Sequence, residues 1–457
     1  MNINERLLLH FRNGNGAAKY LRNRIINFDK LLIDFFSARS DIKRVIYGER
    51  VAEKVLETME YTEILGLRKE VASLEIKRII DYGKQNDHTA HTVYLFLLGI
   101  WVYDSVSDLR KAINSKIDSN QPEKMFVFQW TLASLLHDIG YLFYESRLVE
   151  NETAHLLPDT SKEDKLPAFQ VFGAYYDKLF RDAFEGEFAD FSWVKNEDEL
   201  NATKDTVKEI WSQFKEKFMQ INTRHAETPK AVLEELSKTP WMRELGLKPV
   251  CGEGDSGFDY LISSTVKADL VENALKIATF GYGNEKANPR VDHAIASGLM
   301  LLQYTSIWYW FSRELEKRAN NSQNSITDTI YKELYHNLFS NYQYPVKVLT
   351  DHVIPACRTV IYHNMNDKKS IRLENEPLLF LAILCDELQV WDRFVAGSSH
   401  LNVWDNAETH CMAENVIAAD EADESFVSFG FEYSRHRHKV KSTLDKRLTD
   451  WDKYVKL

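Results

Sequence analysis

Apolar positions in this chain gather into a few dense stretches, with amphipathic or polar sequence between them. Residues 88–115, rich in Leu, Val, Tyr and Trp, predict one helix, and residues from about 124 to 145 predict a second. Both are apolar on more than one face, the mark of central rather than surface helices. Residues 1–85 interleave charged and apolar positions in helical fashion and end at a break near Gly83. From 150 to 250 the pattern changes to a polar lead with Pro158 and Pro167, then highly charged amphipathic segments at about 168–185, 199–222 and 229–245. A Gly-rich connection follows at 251–290. The dense pattern resumes with predicted helices at 291–319, near 350–364 and at 377–394. Pro355 fits only the first turns of its helix, and Pro377 is placed to open the next, because a missing N–H costs little there. The tail holds an alternating stretch, Ser425–Tyr433, that predicts a short strand or hairpin, and then a basic amphipathic helix. No internal repeat is visible.

Read together, these elements predict an all-α, mainly helical fold. The 457 residues exceed one compact core and divide into an N-terminal helical extension at 1–85, a core at 86–145 and 286–395, a helical insertion or lid at 146–285, and a C-terminal extension at 396–457. An apolar share of 44% supplies a sizeable core, and the sparse Gly and Pro argue against long disorder. The net charge of −11 disfavours broad nucleic-acid binding but leaves room for a local basic pocket. Cys251, Cys357, Cys385 and Cys411 show no CxxC spacing and read as free thiols of a reducing compartment. The N-terminus carries no evident signal peptide, so the expected location is cytoplasmic. The most membrane-like stretch, Ala294–Phe311, contains Ser297, Gln303, Thr305 and Ser306 and reads as a buried core helix, so no membrane association is expected.

Against that background two carboxylates stand out. Asp138 follows the apolar run Phe126–Leu136 and His137, and Asp386 ends the run Leu378–Cys385. An ionised carboxylate in such surroundings costs several kcal/mol unless it is paired or bound to a metal. The histidines at 91, 137, 293 and 363, also set among apolar residues, point to a metal. His88 and His91, three apart on a predicted helix, share a face. Imidazole nitrogens with carboxylate oxygens suit Mn, Fe, Co, Ni or Zn, with Mg as a further option, as one ion or two. Such an ion polarises a phosphoryl oxygen and activates water near neutral pH. The plain alternatives are a His137–Asp138 hydrogen bond that only stiffens packing, and an arginine partner for Asp386, with Arg358 and Arg393 the candidates.

The ordered set His91, then His137–Asp138, then Asp386, on helices with apolar flanks, resembles the HD superfamily of metal-dependent phosphohydrolases. The resemblance covers roughly 86–145 and 286–395. It implies His91, His137, Asp138 and Asp386 as ligands of a first ion. His293 and His363 stand, in order, where members with expanded sites place further histidines, with Asp138 as the bridge. It also implies Asp138 and His137 as the centre of catalysis. The chain departs from the family in two places: Tyr141 replaces a lysine that often follows the His–Asp pair, and Tyr362–His363–Asn364 stands where consecutive histidines are common.

The resulting expectation is an enzyme that hydrolyses a phosphoester or phosphoanhydride of a nucleotide-type substrate with metal-activated water. Cyclic nucleotides and dinucleotides rank level with nucleoside triphosphates and monophosphates. Arg290, Arg393 and His88 are the candidate phosphate contacts, with Phe258 and Tyr260 as candidate base contacts or lid residues. A homo-oligomer is compatible with the sequence. The alternative expectation is a non-catalytic nucleotide or metal sensor built on the same core.

Overall fold

The computed structural model describes residues 1–38, 40–59, 65–82, 88–140, 348–364, 371–390, 416–420 and 425–457, with scattered residues between 196 and 305. The predicted segments at 168–185, 229–245 and 251–290 lie outside the described residues. The chain divides into two compact units: Met1–Ile139 with Pro355–Leu457, and Gly140–Ile354. As the sequence pattern requires, the described structure is mainly helical.

The first unit opens with α1 (Ile3–Asn13), α2 (Gly16–Arg24), α3 (Phe28–Phe36), α4 (Asp41–Thr58) and α5 (Leu65–Tyr82), followed by α6 (Thr89–Ser105), α7 (Ser107–Asn114) and α8 (Pro122–Leu135). The chain resumes in α9 (Ile354–Tyr362) and α10 (Pro377–Leu388), and ends with β1 (Val416–Asp420), β2 (Val427–Phe431), α11 (Ser434–Arg447) and β3 (Val455–Lys456). Strand β2 lies between β1, antiparallel, and β3, parallel.

Helix α6 is the axis of this unit. Every residue from Thr89 to Asp104 is buried, which explains why its sequence is apolar on all faces. It packs closely on α8 because Gly99 has no side chain: a Cβ there would overlap the Trp130 indole. The indole N–H donates to the Phe96 carbonyl at 2.9 Å. At the far end of α6, the Asp104 carboxylate accepts from the backbone N–H groups of Ala17 and Ala18 (2.8 and 2.9 Å), anchoring the first turn of α2. Trp101 of α6 meets Phe429 of β2 edge-on, so the C-terminal strands also close on this helix.

Three predicted boundaries shift, the simplest being the helix expected over 377–394, which ends at Leu388. The single helix expected over 88–115 is broken at Val106, whose extended backbone turns the chain by 101° between α6 and α7. Arg110 secures the corner by donating to the Asp104 carbonyl at 2.6 Å. The helix expected over 124–145 ends at Leu135, so His137 and Asp138 sit in the following turn and not on the helix itself. Pro377 is the first residue of α10, as its chemistry predicts, and Pro355 is the second of α9, after a π-helical turn at Leu349–Val353. Among the described residues no single helix is long and apolar enough to cross a membrane.

Candidate metal centre

Three parts of the first unit bring the expected ligands together. His91 stands in the first turn of α6, His137 and Asp138 follow α8, and Asp386 lies in the last turn of α10. All four side chains are buried. One ligand atom each from His91, His137 and Asp138 can be chosen so that all lie within 4.8 Å of one another. A metal with bonds of about 2.0–2.2 Å would draw such donors closer together. Asp386 joins the same cluster, its Oδ1 lying 3.0 Å from His91 Nε2.

The turn after α8 is shaped by its own polar groups. Ser134 Oγ donates back to the Trp130 carbonyl at 2.5 Å, and His137 Nδ1 donates to the Ser134 carbonyl at 2.7 Å. This second bond fixes the imidazole and leaves Nε2 facing Asp138, 3.2 Å from its Oδ1. A backbone carbonyl on the far nitrogen is the usual way a metal-binding histidine is oriented. His363 repeats the arrangement at the end of α9: its Nδ1 donates to the Val360 carbonyl at 2.6 Å, and its ring stands edge-on to His137 with centroids 4.8 Å apart. Burial holds the His137 pKa below its ordinary value, opposed by the nearby Asp138 charge, so the ring favours the neutral form a ligand needs.

His88 directly precedes α6 and places Nδ1 3.5 Å from the second oxygen of Asp138. With 19% of its side chain exposed, it is the more open partner of that carboxylate. Asp138 and Asp386 therefore each meet histidine. The alternative arginine for Asp386 does not apply to Arg358, which pairs with Glu376 at 2.6 Å. Arg290, Arg393, Tyr141, Phe258 and Tyr260 lie outside the described residues.

In the second unit, His293 is buried and helical. There the Gly140 N–H donates to Ser297 Oγ at 2.7 Å, and a Cβ on Gly140 would overlap the His293 carbonyl oxygen. His352 is also buried, within the π-helical turn.

Sequence reasoning missed the groups that hold the ligand helices in place. The start of α6 has no side-chain cap of its own. The buried Glu75 of α5 supplies one, its two oxygens accepting from the N–H groups of His88 and Thr89 at 3.0 Å each. One turn to two turns earlier on α5, the buried Arg68 pairs with Glu49 at 2.7 Å and donates to Thr92 Oγ1 at 2.6 Å and to the Thr89 carbonyl at 2.9 Å. The available signal was a charged residue, Glu75, between Leu74 and Ile76 in the helix ahead.

What the described site establishes is coarse: buried His and Asp groups close enough to hold a metal ion. No protein-family model, curated protein or solved structure matches the chain.

Proposed function

We propose that this protein is a metal-dependent phosphohydrolase of the HD type, acting on a nucleotide or related phosphoester. The observation that carries the reading is the convergence of His91, His137, Asp138 and Asp386, which are far apart in sequence yet meet in one buried cluster. Their order along the chain is the one the HD resemblance implies. In this proposal those four residues hold the first ion. His363, whose ring abuts His137, is the natural ligand of a second; His293 is added on sequence order alone.

A bound ion would supply activated water and would offset charge on the phosphoryl group. The protein's own part is to hold the histidine nitrogens and both carboxylates in a fixed, buried setting. His88, more open than the ligands and beside Asp138, is proposed to contact the substrate phosphate, with Arg290 and Arg393 as further contacts. Two sequence features favour a second reading, a sensor that binds nucleotide without turnover: Tyr141 stands where the resemblance implies lysine, and Tyr362 where it implies a further histidine.

The test is release of phosphate or nucleotide from a panel of cyclic dinucleotides, cyclic mononucleotides, (d)NTPs and NMPs, with Mn, Fe, Co, Ni, Zn or Mg added. Asp138→Ala is run beside the wild type. Hydrolysis of one class that disappears in the variant supports the enzyme. Nucleotide binding with a conformational response and no turnover would replace it with the sensor.

A further inference from the structure

The C-terminal segment, outside the HD resemblance, reaches the candidate metal site through one side chain. Arg447, the last residue of α11, is buried. Its Nη1 donates to Glu387 Oε1 at 2.8 Å, and its Nη2 donates to the backbone carbonyl of His363. Glu387 follows Asp386 directly, in the last turn of α10, and His363 closes α9. A single planar guanidinium thus spans the ends of the two helices that carry Asp386 and His363. Its fork of donors suits two acceptors held at a fixed angle, which a lysine ammonium matches less well.

The backbone reinforces the connection. The Arg447 carbonyl accepts from the Ile371 N–H at 2.8 Å, and the Ile371 carbonyl accepts from the Thr449 N–H at 2.9 Å. Val440 and Leu444 bury the inner face of α11, so its last turn is fixed on both sides of the arginine. Removing the guanidinium would leave Glu387 as a mostly buried charge next to Asp386 and would release the carbonyl at the end of α9.

We infer that Arg447 is a positioning residue for the metal site, setting the relative placement of His363 and Asp386, so that ion affinity depends on the C-terminal helix. The inference rests on the metal reading above. His363 is oriented through the carbonyl and Asp386 through its neighbour, so the arginine acts without touching an ion. Groups of this kind that orient metal ligands typically change affinity by about 10- to 100-fold.

The experiment titrates the full-length protein with Co²⁺, following both affinity and the visible absorption of the bound ion. Wild type is compared with Arg447→Met, Arg447→Lys, Glu387→Ala and His91→Ala, with far-UV circular dichroism confirming the fold of each. Arg447→Met should bind Co²⁺ about 10- to 100-fold more weakly with an altered spectrum, and Arg447→Lys should recover part of the loss. Glu387→Ala removes the acceptor from the other side and decides the matter should Arg447→Met not fold. A folded Arg447→Met or Glu387→Ala protein with wild-type affinity and spectrum overturns the inference alone. Wild type that takes up no Co²⁺, or His91→Ala that binds as wild type does, overturns the metal reading and the inference with it.

Discussion

Replacing Glu75 by alanine takes away both acceptors at the start of α6, the helix that carries His91. The two bonds from the His88 and Thr89 N–H groups are each 3.0 Å long, and the carboxylate is 4% exposed. A lost helix cap costs about 0.5–2 kcal/mol, and a hydrogen bond to a charged group contributes about 1.5–3 kcal/mol. These ranges describe the same contact and do not add in full, so the expected destabilisation is about 2–3 kcal/mol. For a unit of this size, each kcal/mol lowers the midpoint by about 2–4 °C, giving a fall of roughly 5–10 °C. Glu75→Gln keeps one acceptor oxygen and should fall by about half as much. Thermal unfolding followed by circular dichroism reads both. A midpoint for Glu75→Ala within a degree of wild type would refute the argument that α5 fixes the start of the ligand helix.

Further outcomes follow from the same structure. Gly99→Ala should lower stability by about 1–2 kcal/mol, because overpacking against Trp130 at about 1–3 kcal/mol outweighs the gain of up to about 1 kcal/mol in helix propensity; denaturant unfolding showing a stabilised variant would contradict the close packing of α6 on α8. Stability of the chelated protein should depend on pH through His137. Burial lowers its folded pKa below 6.5, so the unfolded chain takes up the proton first. That contribution to stability is intact above about pH 6.5 and is lost as pH falls from there toward the depressed folded value. Denaturant midpoints at a series of pH values should fall in that window, and His137→Gln should flatten the slope; an unchanged slope would remove His137 as the cause.

Much of the helical architecture could be read from the chain because its causes are local. Continuous apolar faces marked α6, α8 and α10 as central, and Pro377 marked the start of α10. The corner at Val106 was hidden because apolar residues continue through it; the Arg110 bond that secures it depends on a backbone bend that no pattern of side chains records. The end of α8 was hidden for a similar reason, since Leu136–His137–Asp138–Ile139 continues a helical pattern while Ser134 and His137 spend their hydrogen bonds on nearby carbonyls. Charged residues in apolar runs singled out Asp138 and Asp386. Glu75, Arg68 and Arg447 escaped because each lies in an ordinary amphipathic helix, and its burial is decided by which distant helix packs over it. Strand β1 escaped as well, since Val416–Ile417–Ala418–Ala419 runs apolar without alternation.

The central claim is that His91, His137, Asp138 and Asp386 form a metal centre. Its most direct test is the metal content of full-length protein after anaerobic loading with Mn, Fe or Co and removal of excess ion, measured for wild type and for Asp138→Ala. Wild type should retain one or two ions per chain, and the folded variant should lose at least one of them. Wild type that retains no metal, or a variant that retains as much as wild type, would contradict it.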